Sequence, residues 1–277
     1  MTDENIVQGE LIYYAHQLSP KFKELILIPI SDIHKDNPLF SLHHVNRTIQ
    51  FIGDTKNAVG VFNGDLCEAA IRSSKGEIYK QKTTPQDQRD WVIEKFTPIK
   101  HKILGMTTGN HEMRIYNETG VDLSKDIAKA LGIPYRPEGM MLKLSFGDYN
   151  NYTKGSPYTY WTYFTHGYGG ARTKAAKAVK VERLSAWIHA DCYIMSHDHV
   201  VNVAPDVYLM PDPRTHLDEK TGFQVGKVTA KRKMLVKSNA YLKWGGYSEM
   251  GGFPPVDLET PIIKLQGTGK PRIKVEI

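Results

Sequence analysis

The stretch Leu25-Ile26-Leu27-Ile28-Pro29-Ile30-Ser31-Asp32-Ile33-His34 sets the fold class. Its first six residues are apolar, the pattern of a short strand buried on both faces. The run ends in an aspartate and a histidine two residues apart. Just past a strand end, that spacing lets both side chains reach one ion from a single turn. The pattern of an apolar run followed by polar, ligand-type residues recurs downstream. Ala58-Val59-Gly60-Val61-Phe62 leads into Asn63-Gly64-Asp65, and His101 to Thr107 leads into Gly109-Asn110-His111-Glu112. Tyr158 to Thr165 leads into His166-Gly167, and Cys192 to Met195 into His197-Asp198-His199. Residues so placed sit on loops at the C-terminal edge of a sheet, where chemistry is commonly carried.

Between these runs the pattern turns helical. Leu42 to Thr55 has Val45, Ile49 and Ile52 at helical spacing. Thr84-Pro85 supplies an N-cap and a first-turn proline for a helix that Pro98 stops after about Phe96. Ser124 is the expected cap of a short helix ending at Gly132. Met140 to Phe146 reads as a strand and Ala171 to Ala190 as a helix. After about Val201 the pattern is β-like, with turns at Pro211-Asp212-Pro213 and Gly245-Gly246 and strands at Met234-Leu235-Val236-Lys237 and Ile273-Lys274-Val275-Glu276. The chain is therefore α/β. No repeat or linker divides it, so residues 1–277 are expected to form a single domain with a strand-rich C-terminal part from about 200. The polar stretch from Tyr149 to Tyr158 reads as a surface loop.

The 277 residues carry a formal net charge of +6. A mild basic excess suits an anionic substrate, nucleic acid included. No apolar run approaches the ~18–20 residues of a membrane span, which argues against a helical membrane protein. The acidic, polar start from Met1 to Glu10 shows no signal peptide. Two distant cysteines, Cys67 and Cys192, exclude a disulfide scaffold and fit a reducing, cytoplasmic setting. Both read as small buried hydrophobes.

Aspartate, histidine and asparagine suit Mn²⁺, Fe, Zn²⁺, Ni²⁺ or Mg²⁺. The expected cofactor is a pair of divalent ions, Mn²⁺ first among them. Asp65 is the natural bridge, because its two oxygens can each hold one metal. Bridged ions ~3.5–4 Å apart clamp both the attacking and leaving oxygens of a phosphoryl transfer. Asn110 offers a neutral carbonyl that keeps ligand charge low, and His166, His197 and His199 complete the spheres. His111 is the candidate general acid for the leaving alkoxide. The nucleophile is a water or hydroxide whose pKa the ions lower. Asp36 or Glu112 is the expected orienting partner of an imidazole.

The ordered set Asp32-x-His34, Gly64-Asp65, Gly109-Asn110-His111-Glu112, His166 and His197-x-His199 resembles the calcineurin-like metallophosphoesterases over roughly residues 25–200. The resemblance implies a four-layer α/β/β/α sandwich of two mixed sheets flanked by helices, with a dinuclear centre. By that pattern Asp32, His34 and His199 sit with one metal and Asn110, His166 and His197 with the other, while Asp65 bridges. His111 corresponds to the catalytic histidine. Protein serine/threonine phosphatases of the superfamily carry an arginine soon after Gly-Asp and another just before Gly-Asn-His-Glu, which grip a phosphomonoester. This chain has Leu66-Cys67-Glu68-Ala69-Ala70 and Thr107-Thr108 there, so a diester is the expected substrate. The stretch from His166 to Lys174 is similar to compact phosphoesterases of phages and prophages.

Gly167 to Gly170 gives a pliant backbone directly after a candidate ligand. The N-terminus of the helix starting near Ala171 would favour a phosphate. Arg172 and Lys174 add charge there, and Arg72 and Arg114 lie soon after other clusters. Lys174, Lys177 and Lys180 share one side of the helix, either a solvated face or a ridge gripping a polyanion. Ala175, Ala178, Leu184, Trp187 and Ile188 form its apolar stripe. Tyr149, Tyr152, Tyr158, Tyr160, Trp161 and Tyr163 read chiefly as core, with base stacking as the alternative. The functional expectation is a dinuclear-metal phosphodiesterase with DNA or RNA as candidate substrates. Its alternatives are a phosphomonoesterase on a small molecule or phosphoprotein, and an inactive nucleic-acid-binding module.

Overall fold

The computed structural model describes residues 12–74, 78–148, 155–255 and 258–277. Tyr149 and Tyr152 lie outside the described residues. In chain order the elements are β1 (Tyr13–Gln17), β2 (Glu24–Ile30), α1 (Leu42–Asp54), β3 (Ala58–Asn63), α2 (Pro85–Phe96), β4 (Ile103–Thr107), α3 (Asn110–Thr119), α4 (Leu123–Leu131), β5 (Met140–Phe146), β6 (Tyr158–Thr165), α5 (Lys174–Trp187), β7 (Cys192–Met195), β8 (Asn202–Leu217), β9 (Gln224–Lys237), α6 (Tyr247–Met250), β10 (Ile262–Gln266) and β11 (Ile273–Glu276).

The strands form two mixed sheets. One has the order β1-β5-β6-β7-β9-β8, the other β11-β10-β2-β3-β4. Strand alternation splits β2 between two cores. Leu25 and Leu27 face Leu142, Phe164, Ile194 and Val236 of the other sheet. Ile26, Ile28 and Ile30 face the helical layer, packing with Val45 and Ile52 of α1, Val92 and Phe96 of α2 and Ile127 of α4. On the far side, Tyr193, Met195 and Leu235 bury Val181 and Leu184 of α5. The result is the four-layer α/β/β/α sandwich with mixed sheets. Among the described residues no helix is long and apolar enough to cross a membrane.

Local chemistry moves several boundaries. The α4 cap is Asp122, whose carboxylate accepts from Lys125 N at 2.9 Å. Ser124 is instead buried against Thr108 Oγ1 at 2.8 Å. Residues 101 and 102 close a 3₁₀ turn ahead of β4. Pro211-Asp212-Pro213 lies inside β8, where the register shifts between Pro211 and Thr215. An edge strand tolerates proline and bulges, so the stretch does not turn the chain. Helix α5 is shorter than expected, because the Thr173 side chain caps it by accepting from Ala176 N. Its buried face is Lys177, Val181 and Leu184, whereas Ala175 and Trp187 are exposed.

Candidate metal centre

Strands β2, β3 and β4 run parallel, as do β6 and β7. All five release their clusters at their C-terminal ends. A buried polar belt joins the two sheets at that edge. Asn63 Nδ2 donates to Thr165 O at 2.8 Å and to Ser196 Oγ at 2.6 Å, and Thr107 Oγ1 donates to Asn63 Oδ1 at 2.9 Å. Ser238 Oγ lies 2.9 Å from Ser31 Oγ and 2.7 Å from Ser196 Oγ. His197 N donates to Asp32 Oδ2 at 3.2 Å, linking the first cluster to the last.

The loops bend sharply to aim their side chains inward. Asp32, His34, Asp65, His197 and His199 all have positive φ, between 48° and 71°. Such a conformation costs a non-glycine residue about 1–3 kcal/mol and is kept where the surroundings over-determine it. Gly64 and Gly109 let two of these loops touch. A Cβ on Gly64 would stand 2.6 Å from Gly109 Cα, and one on Gly109 would collide with the Asp65 carboxylate and amide.

The side chains converge in overlapping groups. Donor atoms of Asp32, His34 and His199 lie within 4.8 Å of one another, as do those of Asp65, His166 and His197, and those of His34, Asp65 and His111. Asp65 Oδ2 lies 3.1 Å from His166 Nε2 and 3.8 Å from His34 Nε2, between the outer groups. His199 Nε2 is 3.2 Å from Asp32 Oδ1 and 3.2 Å from His34 Nε2. His166 Nε2 is also 3.2 Å from Asn110 Oδ1 and 3.2 Å from His197 Nδ1.

Each inward nitrogen is fixed by what its ring does on the other side. His166 Nδ1 donates to Asn63 O at 2.7 Å, and His197 Nε2 to Gly169 O at 2.6 Å. His34 Nδ1 donates to Glu68 Oε2 at 3.1 Å, and His111 Nδ1 to Glu68 O at 2.6 Å. A carbonyl oxygen can only accept, so His166, His197 and His111 carry a proton on the outer nitrogen and present the inner one. The Asp32 side chain is fully buried, and among the described residues its Oδ1 has no well-formed hydrogen bond, only the His199 nitrogen 3.2 Å away. Buried carboxylate oxygens are normally satisfied. A pair of facing imidazole nitrogens beside such an oxygen fits divalent cations, and the mixed O/N donor set suits Mn²⁺, Fe, Zn²⁺, Ni²⁺ or Mg²⁺.

The electrostatics favour positive charge at this point. Burial opposes ionisation of Asp32, but the imidazoles of His166 and His199 hold its carboxyl down at about 2. Burial likewise opposes a charged His166, yet Asp65 and Asp32 push its pKa up to about 10. Glu112 is raised to about 7, first by burial and then by the Asp65 charge. It accepts from Asp65 N at 3.0 Å and Cys67 N at 2.9 Å, and so shapes the Asp65 loop. His111 N donates to Asp65 Oδ1 at 2.8 Å, using an otherwise unpaired amide at the start of α3.

The orienting carboxylate is Glu68 rather than Asp36 or Glu112. Asp36 Oδ2 accepts from Lys82 N and Thr83 N, both at 2.6 Å, and holds a loop. Lysines Lys177 and Lys180 do not form an outward ridge. Lys177 Nζ donates to Asp198 O at 2.9 Å, and Lys180 Nζ to Asp198 Oδ1 at 2.7 Å and to Tyr168 O at 2.6 Å. From the other side Lys237 Nζ donates to Ser196 O at 2.8 Å and Asp198 Oδ2 at 2.6 Å. The one mark of this clamp in the sequence is the acid between two histidines at Asp198. Arg114 Nη1 donates to Ser74 Oγ at 2.6 Å, and the Arg172 guanidinium lies 5.9 Å from the Phe253 ring. Lys174 is exposed at the first turn of α5.

No protein-family model matches the chain, and no curated protein matches it. Among solved structures it is similar to the calcineurin-like phosphoesterase YfkN from Bacillus subtilis, at 13% identity over 91% of this chain and 90% of that one, with a TM-score of 0.44. It is similar to a conserved protein from Streptococcus pneumoniae TIGR4 described as a predicted phosphoesterase, at 12% identity over 92% of this chain and 90% of that one, with a TM-score of 0.37. It is also similar to GAP50, the anchor in the inner membrane complex of Plasmodium, at 10% identity over 92% of this chain and 84% of that one, with a TM-score of 0.46.

Proposed function

We propose that this chain is a calcineurin-like metallophosphoesterase that hydrolyses phosphodiester bonds with two divalent ions bound. The observation that carries this reading is the double membership of Asp65, which stands within donor distance of both His34 and His166. Asp32, His34 and His199 would hold one ion, Asn110, His166 and His197 the other, and Asp65 both. When bound, the ions supply Lewis acidity, polarising a phosphoryl oxygen and lowering the pKa of a water.

The chain's own residues do the rest. Glu68, Asn63 O and Gly169 O hold the imidazoles so that their lone pairs point inward. His111 is the general acid. Its outer N–H is tied to Glu68 O, so the proton given to the departing alkoxide is a second one, carried on Nε2. Arg172, Lys174 and Arg114 are assigned to parts of the substrate beyond the reacting phosphate, and the basic excess favours DNA or RNA. Residues 1–277 act as one domain in this reading.

The test is hydrolysis of bis-p-nitrophenyl phosphate beside p-nitrophenyl phosphate by metal-stripped protein, with Mn²⁺ added back. Asp65→Asn serves as the control. Mn²⁺-dependent cleavage favouring the diester, lost in Asp65→Asn, is the expected result. A monoester preference overturns the diester assignment. Wild-type turnover in Asp65→Asn overturns the bridged site.

A further inference from the structure

The two longest strands leave the body of the protein. Strand β9 pairs with β7 only from Met234 to Lys237, and β8 is the last strand of its sheet. Among the described residues, 224–233 of β9 have no sheet neighbour except β8. They make a two-stranded arm roughly 30–35 Å long at a strand rise of ~3.3 Å per residue. Strand β9 is parallel to β7, and β7 delivers His197 from its C-terminal end. The arm therefore projects from the end of the sheet opposite the Asp/His cluster.

Its inner face is a core stripe that continues outward after the core has stopped. Val203, Met234 and Val236 pack between the sheets. Two-residue alternation carries the same face along Val207, Leu209 and Pro211, opposite Arg232, Ala230 and Val228. Leu209 is 71% exposed and Val228 62%, and at the tip Phe223 is 70% exposed. A lone two-stranded ribbon is marginally stable in water. An exposed apolar stripe of this kind marks an interaction surface. The docking element is the face and not the edge, because Pro205, Pro211 and Pro213 withhold amides from any strand added beside β8.

Charge along the arm selects the occupant. On the apolar face the base carries Arg232, and the tip loop carries Asp218 and Glu219 beside Lys220; Lys231 and Lys233 lie on the opposite face, where Lys233 meets Asp206 and Ser185 O. A polyanion would find a single cation at the base of that face and carboxylates at the tip. A second arm laid antiparallel sets each base against the other's tip, with apolar stripes in contact. That arrangement is self-complementary under a two-fold axis. We propose that this arm pairs with the arm of a second copy of this chain, apolar face to apolar face and antiparallel, to form a dimer. The proposal does not depend on the reaction catalysed.

The experiment is sedimentation velocity on the full chain over a wide concentration range. Wild type is expected to be dimeric. Leu209→Glu with Val228→Glu is expected to lose the dimer while circular dichroism stays unchanged, since both side chains are exposed. A second variant carrying Arg232→Cys and Glu219→Cys is expected to give a covalent dimer on oxidation. Base and tip of one arm are too far apart to bond, and Cys67 and Cys192 are buried. A wild type that is monomeric at every concentration overturns the proposal. So does a dimer that survives the glutamate substitutions, or one whose cysteine pair stays reduced.

Discussion

Lys237 Nζ lies 2.6 Å from Asp198 Oδ2, and both side chains are sealed from solvent. The other oxygen of the same carboxylate is 2.7 Å from Lys180 Nζ. The pair braces a turn whose flanking residues, His197 and His199, both hold positive φ. Removing Lys237 leaves Asp198 Oδ2 unpaired in a buried site, with Lys180 as the cation remaining on the carboxylate. Lys237→Met should therefore cost less than the about 3–5 kcal/mol of a fully stranded buried charge and weaken Mn²⁺ binding, because both histidines lose part of their brace. Adding Asp198→Asn should recover part of the stability, since the half-paired charge goes with it. Urea unfolding and a metal titration on the three variants check this. Equal metal affinity in Lys237→Met and wild type would sink the bracing role.

Gly109→Ala is the smallest change expected to disable the site. The glycine sits between β4 and α3, where an added methyl meets the Asp65 carboxylate and amide at once. Both are backed by Glu112 and the His111 amide, so neither has room to retreat. Overpacking of this kind costs about 1–3 kcal/mol. The larger effect should be on metal binding, since Asp65 is displaced. The outcome to look for is a folded protein by circular dichroism that no longer retains Mn²⁺ through gel filtration. Unchanged metal content would show that the loops separate freely.

Much of this arrangement is legible in the sequence, for a physical reason. A strand buried on both faces must be apolar throughout, and a loop that carries ligands must be polar. The boundary therefore stands out at Ile30/Ser31, Phe62/Asn63 and Met195/Ser196. What is not legible depends on contacts distant in the chain. Glu68 looks like any acid after Gly-Asp, and its role appears only when His34 folds 34 residues back onto it. Lys177 and Lys180 have helical spacing that suits a solvated face equally well. Asp198 turns them inward, Lys177 through its backbone carbonyl and Lys180 through its carboxylate. The arm escapes for another reason: Pro211-Asp212-Pro213 has turn chemistry, and an edge strand without a second neighbour can absorb it as a bulge.

His111 should be separable from the metal ligands. Its ring is edge-on to His34 at 4.5 Å between centroids, while its outer nitrogen is engaged by Glu68 O. His111→Asn should keep most Mn²⁺ binding and lower kcat by about 10²–10⁴-fold, the usual worth of a positioned general acid. The loss should shrink for diesters with a good leaving group such as p-nitrophenolate, which departs without a proton. Rates on an activated and an unactivated diester provide the comparison. Equal losses on both would remove the general-acid role and recast His111 as a ligand.

Asp191 gives a pH signature away from the metal centre. Its Oδ2 accepts from Trp161 N at 2.8 Å beside β7, but burial outweighs that bond and raises the carboxyl above its ordinary value. A carboxyl whose folded pKa is raised stabilises the fold fully below its unfolded value of roughly 3.9, and that contribution is lost as pH rises through the folded value. Asp191→Asn keeps an acceptor for the Trp161 amide and removes the charge. The variant should melt above wild type near neutral pH, and the gap should close as pH falls toward roughly 4. Thermal melts of the two proteins across that window measure the gap. A difference that stays constant with pH, or widens in acid, would show that the half-buried carboxylate is better compensated by the Trp161 amide, His189 and Lys231 than its raised pKa implies.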